Sequence, residues 1–184
     1  MGLANNITIL RVLLIPVFMV FLLAAPQPSG SYIAAIIFAV AAATDSIDGY
    51  IARATSKVTT FGKLLDPLAD KLLVSAALIS LVQLERLPAW IVIVIIAREF
   101  AVSGLRLIAL AERKVIPASR LGKAKTFSQL IAIIIIILNV PYSIYGQSLG
   151  WILIIIATVL TVLSGVDYFI KSVDVLNSIN GTQE

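Results

Sequence analysis

Four aspartates, Asp45, Asp48, Asp66 and Asp70, border two long apolar runs in a chain of 184 residues that contains neither cysteine nor histidine. A carboxylate set beside lipid is costly, so a cluster of four points to a site. The spacing sharpens this: Asp45 and Asp48 are three apart and Asp66 and Asp70 four apart, so on a helix each pair shares one face. Two such faces can meet. With no imidazole or thiolate to offer, the cluster suits hard cations such as Mg²⁺, Mn²⁺ or Ca²⁺ rather than an ordinary zinc, haem or iron-sulfur centre. Gly49, Ala52 and Gly62 keep the acid-bearing faces small, which lets a bulky diphosphate approach the backbone. Arg53 can fork onto a phosphate oxygen.

Asp45-Ser-Ile-Asp48-Gly49-Tyr-Ile-Ala52-Arg53, then eight residues, then Gly62-Lys-Leu-Leu-Asp66-Pro-Leu-Ala-Asp70 resembles the signature of the CDP-alcohol phosphotransferases, membrane enzymes of phospholipid synthesis. Eight identities at fixed offsets across twenty-six residues carry the likeness. Three more segments are similar to the bacterial branch that forms phosphatidylglycerophosphate: Asn5-Asn-Ile-Thr8-Ile-Leu-Arg11, Ala97-Arg98-Glu99-Phe100 with Gly104-Leu105-Arg106, and Leu121-Gly122-Lys123-Ala124-Lys125-Thr126. Ala4 stands where many members have proline, a departure that touches only how the first helix begins.

The resemblance implies an all-α integral membrane protein, a bundle of six transmembrane helices with its site open to the cytoplasm, and a homodimer. It implies transfer of a phosphatidyl group from CDP-diacylglycerol to sn-glycerol 3-phosphate, giving phosphatidylglycerophosphate and CMP, with two Mg²⁺ (or Mn²⁺) ions per site. Carried over position by position, Asp45, Asp48 and Asp66 ligate metal, while Asp70 completes the second metal site and serves as general base. Asp48, Gly49, Ala52, Arg53 and Gly62 contact CDP-diacylglycerol, and Arg98, Arg106, Arg120, Lys123 and Lys125 offer a basic pocket for the acceptor phosphate. Asn5, Thr8 and Arg11 are further candidates on the first helix. Because the signature reads the nucleotide half, another acceptor (inositol phosphate, serine or a second lipid) remains the alternative within the family.

Composition independently says membrane: 60% of residues are hydrophobic and the mean hydropathy is +1.04, against about 45–50% apolar residues in soluble domains. Six apolar segments, near 7–25, 32–53, 63–83, 88–111, 121–140 and 149–170, each approach the roughly 20 residues that a crossing needs. Arg53, Lys57 and Lys63 flank one connection, Arg113, Lys114, Arg120, Lys123 and Lys125 another, whereas the opposite set of loops holds only Arg86. By the positive-inside rule both termini and both basic loops are cytoplasmic, in a multi-pass protein of the plasma membrane. The first segment reads as a retained span, since removing it as a signal peptide would leave an odd number of crossings. No linker or repeat divides the chain, so residues 1–184 read as one domain. The net charge of +4 follows topology and does not suggest nucleic acid. A cation channel or transporter would instead predict midplane acids, broken helices and repeated halves.

Arg98 and Glu99 lie about 15 Å into the fourth segment at 1.5 Å per residue, near mid-bilayer. A charge there costs about 2.5–3.5 kcal/mol on insertion scales and needs a partner or a wet cavity. Adjacent helical residues diverge, so Arg98 is not expected to neutralise Glu99, which serves either the site or an interhelical ion pair. Arg106 is placed to share a basic pocket with Arg98. Lys123 and Lys125 are about 200° apart around a helix and cannot both point straight at one site, whereas Arg120 shares a face with Lys123.

Overall fold

In the computed structural model, residues 3–55, 60–111, 120–140, 143–144 and 147–180 are described. For 3–7, 45–55, 60–68, 70, 111, 120, 143–144, 147 and 173–180 the description is of the backbone. Six helices follow one another: α1 (Leu3–Leu23), α2 (Ser29–Thr55), α3 (Thr60–Gln83), α4 (Ala89–Ala111), α5 (Arg120–Leu138) and α6 (Leu149–Asn180). A two-residue ladder, β1 (Ser143–Ile144) antiparallel to β2 (Gln147–Ser148), precedes α6. The all-helical expectation omits this hairpin. The ladder pairs Ser143 with Ser148 and Ile144 with Gln147.

Helix α1 packs on α2 and α3, α4 on α6, and α5 on α6 and α2. The apolar core gathers Phe18 and Leu22 of α1, Ala34 and Phe38 of α2, Leu73 to Leu81 of α3, Ile91 and Ile95 of α4, Ala132 to Ile137 of α5 and Ile154 of α6. These come from the later halves of the odd helices and the earlier halves of the even ones, as alternately antiparallel neighbours joined by short links require. One end of the bundle, the dry end, is therefore mainly apolar, with Ser31 and Ser80 as buried polar exceptions. The buried polar side chains Thr8, Arg11, Lys125, Gln129, Thr161, Ser164 and Ser172 gather toward the other end.

Helix boundaries differ from the predicted spans where polar residues continue a helical register. Helix α6 runs to Asn180, past the residue 170 at which hydropathy falls, because the register stays amphipathic: Tyr168 and Ser172 are buried while Lys171 pairs with Asp167 one turn back. Asn139, at φ 49°, ends α5 just before the predicted limit of 140. Helix α3 closes in a Schellman motif, with Glu85 (φ 56°) donating to the Val82 carbonyl and Arg86 to that of Leu81, each at 2.9 Å. That turn aims Arg86 across the dry end, where Nη1 donates to the carbonyls of Ile137 (2.8 Å) and Ile136 (3.3 Å). The lone basic residue of that end thus caps the carbonyls left open by α5.

Among the described residues, two helices carry stretches long and apolar enough to cross a membrane, Leu121–Leu138 and Leu149–Ser172. Shorter apolar stretches run over Thr8–Leu23 of α1, Ser29–Thr44 of α2 and Lys71–Gln83 of α3, as far as the described side chains extend.

Gly30 marks the tightest seam. A Cβ there would lie 2.6 Å from the Phe21 carbonyl oxygen and 2.9 Å from Ala25 Cβ, and a backbone oxygen cannot swing aside. Gly104, by contrast, has nothing within 4 Å. Gly30→Ala should therefore destabilise the protein by about 1–3 kcal/mol, whereas Gly104→Ala should be neutral or stabilise by up to about 1 kcal/mol. Thermal melts of the two variants in detergent check this; a Gly30→Ala variant melting with the wild type would mean that α1 and α2 do not meet as described.

Candidate functional site

The acid pairs fall on α2 and α3, which pack together and are joined across residues 56–59. Asp45 and Asp48 lie ten and seven residues before the end of α2, and Asp66 and Asp70 six and ten after the start of α3. At 1.5 Å per residue both pairs sit about 9–15 Å from the turn, so they share one level of the bundle. The side chains of all four, with those of Asn5, Ala52, Arg53 and Arg120, lie outside the described residues, and the backbone places Gly49 and Gly62 on the same two helices. Among the described residues no other group of three metal-type ligands occurs. The donor set fits a hard divalent cation by its chemistry: carboxylate groups alone, two from each helix. On α1, Thr8 and Arg11 are fully buried and engaged, on a helix that packs against both acid-bearing ones.

Beside the acids, α4 and α5 bring charge into the interior. Glu99 Oε1 accepts from Arg98 Nη1 at 3.2 Å and from the ammonium of Lys125, whose side chain is 4% exposed. The expectation that Arg98 cannot neutralise its neighbour is therefore corrected: the long guanidinium curls back along the helix surface and reaches the adjacent carboxylate. The same guanidinium also ties α4 to α6, since Nη2 donates to Ser164 Oγ at 3.0 Å while that hydroxyl donates to the Thr161 carbonyl at 3.1 Å. Gly165 makes room for the crossing, because a Cβ there would meet Arg98 Cγ at 3.1 Å. One carboxylate thus holds two cations. Three helices meet through it.

The remaining basic candidates diverge. Arg106 lies over the Tyr168 ring, its Cζ 5.5 Å from the centroid, a cation–π contact with α6. Lys123 is exposed while Lys125 is buried, the separation that a two-residue offset predicts. Arg98 and Lys125 are brought together at Glu99; Arg106 and Lys123 are not part of that cluster.

Lys71 and Ser75 of α3, Glu99 of α4, and Lys125, Thr126 and Gln129 of α5 line the polar side of a cavity of about 30 Å³. Sequence reasoning did not select Lys71, Ser75 or Gln129. Gln129 carried a usable signal, being one turn from Lys125 at the head of an isoleucine-rich run. Lys71 carried another, as the residue that follows Asp70. Ser164 and Gly165 carried none, since their role exists only once α6 meets α4.

Residues 1–163 match the family model described as CDP-alcohol phosphatidyltransferase. The chain belongs to this family. It is 46% identical to the CDP-diacylglycerol–glycerol-3-phosphate 3-phosphatidyltransferase of Bacillus subtilis (strain 168), over 97% of this chain and 99% of that protein. Proteins of the same name from Rickettsia typhi (strain ATCC VR-144 / Wilmington) and Pseudomonas fluorescens are each 41% identical over 91% of this chain, covering 95% and 88% of their own lengths. In this CDP-alcohol phosphatidyltransferase family member the acid signature thus sits on two packed helices, beside a buried ion cluster.

Removing Glu99 would leave Arg98 and Lys125 facing each other without their shared carboxylate. Breaking a buried pair in this way costs about 3–5 kcal/mol. Glu99→Ala should accordingly lose most of its thermal stability in detergent, and the double variant Glu99→Ala/Lys125→Met should recover part of it. A Glu99→Ala protein that melts with the wild type would show that the cluster contributes nothing to the fold.

Proposed function

We propose that this chain transfers the phosphatidyl group of CDP-diacylglycerol to sn-glycerol 3-phosphate, releasing CMP. The observation that carries the proposal is the placement of Asp45 and Asp48 on α2 level with Asp66 and Asp70 on α3, in a chain of the CDP-alcohol phosphatidyltransferase family. The names of its relatives support the acceptor. The chain acts as a six-span, homodimeric protein of the plasma membrane, with both termini and the aspartate end toward the cytoplasm. Hydropathy and the distribution of basic residues support that orientation.

In this reading Asp45, Asp48, Asp66 and Asp70 hold two Mg²⁺ or Mn²⁺ ions. When bound, such ions offset the diphosphate charge and favour departure of CMP. Arg53, with Gly49, Ala52 and Gly62, seats the nucleotide diphosphate. Asp70 takes the proton from a terminal hydroxyl of the acceptor as that oxygen forms a bond to the phosphatidyl phosphorus, and the bond from phosphorus to the CMP oxygen breaks. In a chain without histidine a carboxylate is the natural base. Arg98 and Lys125, steadied by Glu99, attract the acceptor phosphate, and Arg106, Arg120 and Lys123 add positive charge at the same end of the bundle. Asn5, Thr8 and Arg11 complete the polar end from α1.

Purified protein, CDP-diacylglycerol and a panel of acceptors, scored for CMP release, test the proposal. Glycerol 3-phosphate should be the preferred acceptor, plain glycerol very poor, and activity should vanish with EDTA and return with Mg²⁺. Asp70→Asn should depress kcat far more than donor affinity. Preference for inositol phosphate, or turnover undiminished in excess EDTA, would overturn the reading.

A further inference from the structure

Gln129 is 3% exposed, and its side-chain carbonyl oxygen Oε1 is buried without a hydrogen-bond partner. A buried acceptor left unmade costs free energy, so an orphan of this kind on a cavity wall asks for a donor. The cavity it lines is bounded by Lys71, which directly follows the proposed base Asp70, and by Lys125, one of the cations proposed for the acceptor phosphate. At about 30 Å³ the cavity is small, on the scale of one or two water molecules.

On the reading that the acceptor is glycerol 3-phosphate, its terminal hydroxyl goes toward Asp70 and its phosphate toward Lys125. The central carbon must then lie between them. We propose that Gln129 is a specificity-determining residue, whose side-chain carbonyl accepts a hydrogen bond from the secondary hydroxyl of the acceptor within this cavity. The inference deepens the proposed function and rests on it. It assigns a third recognition element, separate from the base and from the phosphate cations, and it gives a buried polar side chain at the head of the isoleucine-rich run of α5 a ligand of its own. A pocket built around a hydrogen-bonding partner discriminates strongly against the analogue that lacks it, because the buried group is then left unpaired.

The test compares sn-glycerol 3-phosphate with 3-hydroxypropyl phosphate, which keeps the terminal hydroxyl and the phosphate but lacks the central hydroxyl. CMP release by the purified full-length protein is measured with CDP-diacylglycerol as donor. The wild type should favour glycerol 3-phosphate by at least about tenfold in kcat/KM. Gln129→Leu should bring that ratio to within about threefold, chiefly by lowering activity on glycerol 3-phosphate, with turnover of the deoxy analogue retained. A wild type that uses both acceptors equally overturns the inference without any variant being needed. So does a Gln129→Leu variant that loses activity on both acceptors in equal proportion, the result expected of a purely structural residue. If Gln129→Leu fails to fold, Gln129→Met is read in the same way. A wild type inactive on both compounds but active on another acceptor would instead remove the proposed function, a different outcome from either.

Discussion

Charge inside an apolar bundle has to be paired, and Glu99 is where this structure meets that constraint. Its carboxylate receives Arg98 from its own helix and Lys125 from α5, while Arg98 reaches on to Ser164 of α6. Away from water such contacts are strong, and the carboxylate matters most, since its removal takes an ionic partner from both cations at once. The pairing lets α4 and α5 hold cations inside the bundle where lone ones would be expelled, with α6 supplying the Ser164 hydroxyl. It also fixes where those cations sit relative to the acid-bearing helices.

That constraint divides the bundle lengthwise. At the dry end, Phe18 and Phe38 lie 5.8 Å apart between ring centroids, and aliphatic side chains pack around them. Arg86 closes this end by capping α5. Rigid packing there leaves the opposite ends of the same helices free to carry groups that packing alone would never select: two pairs of aspartates, the Glu99 cluster and Gln129. Placing reactive groups on helices anchored elsewhere is a general way of holding them in register without filling the site itself.

Much of this was legible in the sequence, and particular residues show why. The six apolar segments fell where six helices are found, because hydropathy and helical length are both local properties. The acid pairs fell on α2 and α3 because intervals of three and four residues are helical signals whatever surrounds them. The divergence of Lys123 and Lys125 followed from the same geometry. What escaped is mainly tertiary. Neighbour rules for Cβ directions did not anticipate Arg98 folding back onto Glu99, because a flexible guanidinium is not bound by the direction of its Cβ. The crossing of Arg98 over Gly165 depends on elements far apart in the chain, whereas the small ladder before α6 and the Schellman turn carrying Glu85 are local details of the links between helices. The extension of α6 was lost for another reason: a hydropathy window ends where a helix turns amphipathic, although the helix does not.

At the centre stands the claim that α2 and α3 bring their four carboxylates together around two cations. Manganese titration of the purified protein in the presence of CDP-diacylglycerol, followed by electron paramagnetic resonance, addresses it directly. Paired metal sites hold their ions about 3.5–4 Å apart, close enough for magnetic coupling. The spectrum should therefore show two coupled ions per chain, and Asp45→Asn on α2 and Asp66→Asn on α3 should each abolish the coupled signal. A single isolated ion, or a coupled pair that survives the loss of either aspartate, would contradict the convergence of the two helices on one metal site.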